Sequence, residues 1–361
     1  MRISINDSAY TNYADRSGRT ISIKDANSGL YNTWSPSRKR IHDANFAFLQ
    51  NALSKLDPTL YKPKLFITYG EDMDIVEGGG LVDYVHYFTA DWNGIADELN
   101  NLFGNQANYI PRINAGMDQK SIKVYTFELA YDLRFIDMEK ANKLSLPQSI
   151  EAMYKDAVLA GFDLFANRIA YLGVGGKGGL FTSENVQVNS LTLSPTTVES
   201  ATDADLLALL NGILATYMTP ETFNLDVLPD QMLVPTFFGK ALSERTSELY
   251  AKSLRNYFLT NNLAIDEAEA HGLKNFKLTI KTRPQLDSLG VNDTGRIVVY
   301  KKNPDFVKLH IPYAVQQYYT GPNVDKMAYT TLFVGQVSEI QLPYNTDDSA
   351  FGAVNYFDFA A

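Results

Sequence analysis

The sequence predicts an α+β protein, and three observations support this prediction. Residues 122–129 alternate between two faces, as a half-buried strand does. Residues 150–172 place apolar side chains along one long helical stripe. After Pro195 short helical and strand-like segments alternate, which is typical of layered packing of helices on a sheet. The chain has 361 residues, of which 45% are hydrophobic, so a sizeable core and one or two domains are expected.

The first 60 residues are predicted to form an arm. Residues 1–36 are rich in Asn, Ser, Gly, Tyr and Asp and show no helical period. A helix is expected next, because five residues share one face at steps of three or four: Ile41, Asn45, Phe48, Ala52 and Leu56. Asp57-Pro58 ends this predicted helix.

The following region predicts a long projecting hairpin. Residues 64–71 have the pattern of a strand, and residues 122–129 are its predicted partner. About fifty residues lie between them, including Gly78-Gly79-Gly80 and an apolar, aromatic run at 84–88, and loops of this length inside domains are usually functional.

A single long helix is predicted with Pro147 in its first turn, a position where proline is favoured. Its predicted apolar stripe consists of Ile150, Met153, Tyr154, Ala157, Gly161, Leu164, Phe165, Arg168 and Leu172. Gly161 is expected at a close contact with strands. The glycine-rich run 173–179 is interpreted as a flexible exit from the helix. A phosphate-binding loop is disfavoured, because Lys177 is followed by Gly178 and the run does not precede a helix.

The remainder of the chain predicts helices packed on a sheet. Residues 203–215 and 241–259 are predicted helices, the second with Leu242, Leu249, Leu254 and Phe258 facing inward. The predicted strands are residues 231–235, 276–280 and 296–300, and aromatic-rich strands return over residues 307–359.

The composition and charge restrict the classes of function. The chain has no cysteine, which excludes disulfides, thiolate metal sites and cysteine nucleophiles. No apolar run of ~18 residues predicts a membrane span, and the polar start predicts no export signal. A net charge of −9 disfavours direct nucleic-acid binding, because proteins that hold phosphate backbones are usually basic.

The charge is unevenly distributed along the chain. Residues 1–40 carry seven Lys or Arg and three Asp, a local charge of +4, which leaves −13 for the rest. Such a basic arm could lie across a neighbouring copy of the chain, and a solvated basic tail would show the same pattern.

No residue pattern predicts a catalytic centre, a metal site or a cofactor. The four histidines are scattered without metal-binding spacing, and no G-x-S-x-G motif occurs. Asp72 with Asp74, and Asp203 with Asp205, form pairs that do not continue into a calcium loop. Surface solvation is the simplest interpretation of these carboxylates. A carboxylate pair for glycoside hydrolysis stays open, because its members can lie far apart in sequence.

The order of these parts resembles the major capsid proteins of tailed phages with the Hong Kong 97-type fold, in particular the subfamily described as "major capsid family protein". The resemblance covers about residues 60–361. Three stretches carry it: residues 123–137 before the long helix; Tyr171-Leu172-Gly173 through Gly179-Leu180-Phe181 to Asn185; and residues 296–300 with Asn303-Pro304 and Leu309-His310-Ile311-Pro312.

The resemblance implies four regions and a structural role. Residues 1–60 would be the N-terminal arm and residues 61–122 an E-loop longer than is usual in the family. Residues 123–188 with 306–361 would form the peripheral domain, and residues 189–305 the axial domain. The implied protein is not an enzyme, and it has no cofactor. It would be assembled in the host cytoplasm as hexamers and pentamers into an icosahedral virion capsid.

The resemblance also implies partners and contacts. Other copies of the chain, a portal, and scaffolding or decoration proteins are expected partners; packaged DNA would be contacted only non-specifically, and no membrane is expected. The residues expected at subunit contacts are Arg38, Lys39, Arg40, Tyr69, Asp72, Asp74, Tyr84, His86 and Trp92. Two alternatives remain open: an encapsulin-like nanocompartment shell, which would differ in its cargo, and a soluble enzyme with a carboxylate site.

Overall fold

The computed structural model describes residues 3–6, 10–14, 20–22, 62–93, 114–143, 149–218, 226–247, 252–273, 275–323, 327–343 and 353–361. They fall into two units, Met1–Tyr61 and Lys62–Ala361. The helix predicted over residues 37–56, and with it Arg38, Lys39 and Arg40, lies outside the described residues.

The first unit contains a three-stranded antiparallel sheet with its strands in sequence order: β1 (Ile3–Asn6), β2 (Tyr10–Ala14) and β3 (Thr20–Ser22). The sequence predicted an extended arm rather than a packed domain here, without naming individual strands. Runs of three to five residues are too short for their alternation to be recognised among Asn, Ser and Gly.

The second unit mixes helices and strands throughout. Its first elements are α1 (Tyr69–Asp72), β4 (Asp74–Glu77), β5 (Tyr84–Asn93), β6 (Asn114–Arg134), α2 (Phe135–Lys143), α3 (Ile150–Leu172) and β7 (Val188–Ser190). The middle elements are α4 (Asp203–Ala215), β8 (Gln231–Val234), α5 (Thr236–Glu244), β9 (Thr246–Ser247), β10 (Lys252–Ser253), α6 (Leu254–Thr260), α7 (Leu263–Ala270), β11 (Thr279–Thr282) and β12 (Arg296–Tyr300). The last are β13 (Lys308–Ile311), β14 (Gln316–Asn323), β15 (Ala328–Ser338), β16 (Ile340–Gln341) and β17 (Val354–Asp358). None of the described helices is long and apolar enough to cross a bilayer.

A four-stranded antiparallel sheet in the order β14-β15-β6-β5 is organised around the 21-residue strand β6. The first half of β6 pairs with β5, with Tyr84 opposite Lys123, and its second half pairs with β15. The predicted partner of residues 122–129 was wrong. Residues 64–71 are irregular chain followed by the start of α1, and β5 is the strand that forms the hairpin with β6.

The predicted long helix is confirmed as α3. Ser149 is its N-cap, with Oγ accepting a hydrogen bond from the Ala152 amide at 3.2 Å. The predicted buried face is wrong for several residues: Met153, Tyr154, Ala157, Leu164 and Arg168 are exposed. The buried positions are instead Val158, Phe162, Ala166, Asn167, Ile169, Ala170 and Tyr171. Apolar residues occur around most of α3, so helical periodicity could not select the face that meets the sheet.

The glycine-rich run after α3 forms a tight turn that packs back on the helix end, where a flexible exit was expected. The Leu180 and Phe181 amides donate to carbonyl groups in the last turn of α3, at 2.8 and 2.9 Å. Gly173 has φ 65°, and a Cβ there would lie 1.7 Å from the Lys177 carbonyl oxygen. Only glycine fits this position, because a side chain would be both strained and overlapping.

A five-stranded mixed sheet in the order β11-β8-β12-β17-β7 separates two apolar cores. Val298 and Tyr300 belong to the core that contains the buried face of α3. Ile297 and Val299 belong to the core formed with α4, α5, α6 and α7. Adjacent residues of one strand point to opposite faces, so a strand buried on both sides reads as a continuous apolar run.

Several predictions in this region are confirmed and others need correction. Residues 203–215 are a helix, and residues 231–234 and 296–300 are strands, as predicted. The helix predicted over residues 241–259 is wrong, because α5 and α6 are separate helices with β9 and β10 between them; Leu249 lies outside the described residues.

The C-terminal strand corrects one predicted domain boundary. Residues 306–361 were assigned to the peripheral domain, yet β17 pairs with β12 and β7 in the five-stranded sheet. Residues 308–311 form a separate three-stranded sheet, with β13 between β16 and β4. The end of the chain therefore returns to the α/β region. Local sequence patterns do not show which sheet a terminal strand joins, so the sequence alone did not indicate this return.

Candidate functional site

Exposed apolar surfaces and one buried ionic cluster are the features of this structure that could serve a function. Among the described residues, no group of three or more His, Asp or Glu side chains could hold a metal ion. The features described below lie in the unit Lys62–Ala361.

Asp72 forms a buried ionic cluster at the root of the hairpin. Its carboxylate accepts hydrogen bonds from Arg283 Nε and Nη2, at 2.7 and 2.8 Å, and from Lys281 Nζ at 2.9 Å. The Tyr171 hydroxyl donates to the same carboxylate. Asp72 is fully buried and Arg283 nearly so. The cluster thus joins α1, the end of α3 and strand β11 through one carboxylate.

The charge state of the cluster follows from its hydrogen bonds. Burial alone would raise the pKa of Asp72, but the hydrogen bonds that it accepts, above all from Arg283, outweigh burial and lower the pKa below its ordinary value. Burial and the neighbouring Asp72 carboxylate raise the pKa of Tyr171, so its hydroxyl stays a donor. An ionised, fully bonded carboxylate inside the protein is not available to a neighbouring subunit. The predicted contact role of the Asp72 side chain is therefore wrong.

The backbone beside Asp72 is held on one side by α3 and on the other by the five-stranded sheet. On the α3 side, Asn167 Oδ1 accepts from the amides of Thr68 and Tyr69, at 3.0 and 3.2 Å. On the side of the five-stranded sheet, the Tyr300 hydroxyl donates to the Asp72 carbonyl at 2.7 Å. Lys302 Nζ donates to the Glu71 carbonyl at 2.8 Å. Residues 68–72 are thus clamped between α3 and that sheet.

The chain between residue 72 and β5 is held by the three-stranded sheet β16-β13-β4 and by the four-stranded sheet. Asp74 begins β4, which runs parallel to β13 with Asp74 opposite Lys308. Gly78 and Gly80 donate their amides to the carbonyls of Ile311 and Pro312, both at 3.1 Å. The Gln336 amide group then bonds both the N–H and the C=O of Val82, at 3.1 Å each. We call residues 68–83 the hairpin root.

One face of the β5–β6 hairpin is an exposed apolar strip. Tyr84, Phe88 and Met117 are 53%, 64% and 76% exposed. Tyr84 and His86 stack with ring centroids 6.4 Å apart. Tyr84 and Phe88 share one face of β5, because alternate residues of a strand point the same way. Met117, on β6, lies on the same face because it pairs with Ala90 of β5.

The predicted contact residues are only partly brought together. Tyr84 and His86 lie on this strip; the backbone of Trp92 lies in β5, but its side chain is outside the described residues. Tyr69 is half-buried, with its hydroxyl 3.5 Å from Asp163 Oδ1. Sequence reasoning missed Phe88 and Met117. The aromatic run at residues 84–88 already includes Phe88, whereas Met117 is identified only by the cross-strand register.

A second exposed apolar patch lies at the other end of β6. It contains Phe135, Ile136, Met327 and Tyr329. The Phe135 and Tyr329 rings are 5.1 Å apart, and the Phe135 amide bonds the Met327 carbonyl at 3.2 Å. Sequence reasoning did not identify this patch, because residues 135–136 and 327–329 are brought together only by the pairing of β6 with β15.

A groove of about 550 Å³ crosses the four-stranded sheet beside the hairpin root. It is lined by Leu81, Val82, Asp83, Thr126, Glu128, Tyr318, Leu332, Val334 and Gln336. Asp83 and Glu128 are both exposed, so the groove combines an apolar floor with acidic groups. It is an acidic surface on which a basic segment could bind.

Comparison with known families gives a match to the description "Major capsid protein" over residues 100–346, more than half of the chain. No curated protein matches the chain significantly.

Solved structures similar to this chain include capsids of a phage and of a GTA particle. The capsid of Myoviridae phage XM1 has a TM-score of 0.64 at 15% identity, covering 86% of this chain and 98% of that one. The capsid of the native GTA particle has a TM-score of 0.53 at 8% identity, covering 86% and 96%. A chain from Microbacterium phage Oxtober96 has a TM-score of 0.53 at 10% identity, covering 87% and 98%. At these identities the similarity shows the fold.

Proposed function

The chain belongs to the major capsid protein family, and on this premise we propose that it assembles as hexamers and pentamers into the icosahedral shell of a tailed bacteriophage. The family match over residues 100–346 carries the proposal. The fold is the predicted α+β fold of Hong Kong 97-type capsids, and the place of such a protein is the virion capsid. Enclosure of a DNA genome, and contacts with a portal and with scaffolding or decoration proteins, are part of the proposal.

The exposed apolar strip and the apolar patch support assembly. A folded monomer rarely leaves groups of large apolar side chains in water, and such groups commonly mark interaction sites. Tyr84, Phe88 and Met117 project from a hairpin, and Ile136 and Met327 lie at the opposite end of β6. A shell subunit must bury surface against several neighbours, which requires separate contact surfaces of this kind.

We assign the subunit contacts accordingly. Arg38, Lys39 and Arg40 would bind the acidic groove at Asp83 and Glu128 of a neighbouring copy, because opposite charges favour correct association. The strip with Tyr84 and His86 would contact another copy through its apolar side, and Trp92 of the same strand is proposed for the same contact. Tyr69 and Asp74 lie at the hairpin root and would support these contacts from within the same chain. We propose the arm, E-loop, peripheral and axial regions with their predicted ranges, except that β17, which pairs with β12 in the five-stranded sheet, would belong to the axial region.

The proposal includes no enzymatic activity. The most buried carboxylate, Asp72, is fully occupied by protein donors, which leaves it no free oxygen for a substrate. The comparisons give no support to a soluble enzyme or to an encapsulin-like nanocompartment.

Electron microscopy of the purified protein tests the proposed function. We expect closed shells with sixfold and fivefold clusters of subunits, alone or after coexpression with the neighbouring genes. Monomers that remain unassembled under both conditions would contradict it. Shells that enclose a cargo enzyme instead of DNA would support the nanocompartment alternative.

A further inference from the structure

We propose that Asp72 is a positioning residue for assembly, whose ion pair with Arg283 sets the direction of the β5–β6 hairpin relative to the five-stranded sheet. The inference rests on the proposed shell function, since the direction of a projecting hairpin matters where neighbouring copies must meet it.

The position of Asp72 in the chain supports this role. Asp72 ends α1, and the rest of the hairpin root follows directly and leads into β5. Beyond Asp72 the root is bonded to β13 of the three-stranded sheet and to Gln336 of the four-stranded sheet. The bonds that tie the root to the five-stranded sheet converge on Glu71 and Asp72. This pair of residues is therefore the joint between the hairpin and the α/β region.

The chemistry of the joint favours orientation over stability. A guanidinium that bonds both carboxylate oxygens allows one relative geometry, because both groups are planar. A buried ion pair contributes little net stability compared with apolar residues of similar size, since desolvation offsets most of the attraction. Losing one partner is costly, because the other charge is then left buried. A buried bidentate ion pair is therefore suited to fixing the orientation of one structural element relative to another.

A second buried pair in this chain provides a matched control. Arg296 bonds Asp358 through Nε at 2.7 Å and through Nη2 at 2.9 Å. The exposed fraction of Asp358 is 2%, close to the 0% of Asp72. This pair links β12 to β17 within the five-stranded sheet, and Arg296 also bonds the Phe181 carbonyl. It has the same chemistry without a contact to the hairpin root.

The test compares Asp72→Asn with Asp358→Asn in the full chain. Both variants should lower the melting temperature of the free subunit. Only Asp72→Asn should speed hydrogen exchange of the backbone amides in residues 74–93, and only Asp72→Asn should reduce the yield of normal shells several-fold or change their diameter. Equal exchange in residues 74–93 for the two variants, together with equal shell yield and diameter, would overturn the proposal.

Two less disruptive variants provide the same test if Asp72→Asn does not fold. Lys281→Gln removes one partly exposed partner of Asp72, and Lys177→Gln removes an exposed ion pair with Glu184. The first variant should show the exchange and assembly changes and the second should not; equal behaviour would overturn the proposal. Hydrogen exchange is measured on the free subunit and does not require shells. Failure of the wild type to form shells would therefore contradict the proposed function, whereas equal exchange in the variants would contradict the positioning role of Asp72.

Discussion

At the residue scale, Gly335 of β15 determines how closely α3 approaches the four-stranded sheet. A Cβ on Gly335 would lie 2.7 Å from Phe162 Cε2 and 3.1 Å from Val315 Cγ2. Gly161 of α3 was expected to make this close contact, but a Cβ there would be 4.0 Å from Phe127 Cζ, an ordinary contact distance. The expected close approach exists, and the glycine that permits it is on the strand.

The two glycines therefore respond in opposite directions to alanine. Gly335→Ala should lower the free energy of unfolding by ~1–3 kcal/mol, because a packed aromatic ring must move. Gly161→Ala should raise it by up to ~1 kcal/mol, because alanine favours the helix and finds room. Urea unfolding of the free subunit measures both changes. A stabilising Gly335→Ala or a destabilising Gly161→Ala would contradict this assignment of the contact.

Asp72 also gives a prediction about pH. Its pKa is lower in the folded protein than its ordinary value of 3.8, so its ion pair stabilises the fold above that value and the contribution disappears as pH falls through the lowered pKa. Asp72→Asn should cost ~3 kcal/mol at pH 7, because Arg283 is left buried without its main partner. The difference in melting temperature between wild type and variant should shrink steadily below pH 3.8. A difference independent of pH would contradict the ionised pair.

At the element scale, the β5–β6 hairpin is held at its root and exposes the apolar strip of Tyr84, Phe88 and Met117 on one face. Two-stranded ribbons are marginal alone, and this one gains support because β6 continues into the four-stranded sheet. Its exposed strip contributes little to the stability of the monomer, because Tyr84, Phe88 and Met117 remain largely in water. Their burial would contribute free energy only when another copy covers them.

The variant Phe88→Ser separates folding from assembly. It should change the free energy of unfolding of the free subunit by less than ~0.5 kcal/mol, since Phe88 is 64% exposed. It should lower shell yield, because an apolar contact with the neighbouring copy is lost. Size-exclusion chromatography and electron microscopy measure the yield, and Leu273→Ser, at an exposed position in the α/β region, is the control. Normal shells from Phe88→Ser would remove the strip from the assembly contacts.

At the scale of the whole molecule, a basic N-terminal segment accompanies an acidic remainder. The charges of +4 in residues 1–40 and −13 in the rest favour contact between the segment of one copy and the body of another. We propose the acidic groove at Asp83 and Glu128 as the location of this attraction. Attraction between exposed charges weakens with salt, so assembly that depends on it should be sensitive to ionic strength.

Reversing the charges of Arg38, Lys39 and Arg40 to Glu should reduce the yield of closed shells while the subunit stays folded. Reversing Arg16, Arg19 and Lys24 changes the net charge equally and is the matched control. Shells counted by electron microscopy, and the melting temperature of the subunit, give the two readouts. If both triple variants lose the same yield, net charge rather than a defined contact governs assembly; normal yield from the first variant would make the segment a passive tail.

Features that depend only on residues close together in the sequence could be predicted from the sequence. The stretches that form α3 and α4 and the strands β8 and β12 follow from local periodicity. The predicted start of α3, with Pro147 in the first turn, was wrong, because the helix begins at Ile150 after its N-cap Ser149. The order of these parts carried the resemblance to capsid proteins, and the family match confirms it. The apolar, aromatic run at residues 84–88, which lies in β5, is likewise visible in the local sequence.

Only the tertiary structure decided which distant segments meet. The strand β6 could pair with any apolar run of suitable length, and hydrogen bonding of the backbone does not distinguish β5 from residues 64–71. The face of α3, the return of β17 to the five-stranded sheet and the burial of Asp72 likewise depend on partners far along the chain. A carboxylate in an Asp-x-Asp pair has the same local pattern whether it is solvated or buried. The approach of Arg283, 211 residues away, is what makes Asp72 a buried joint.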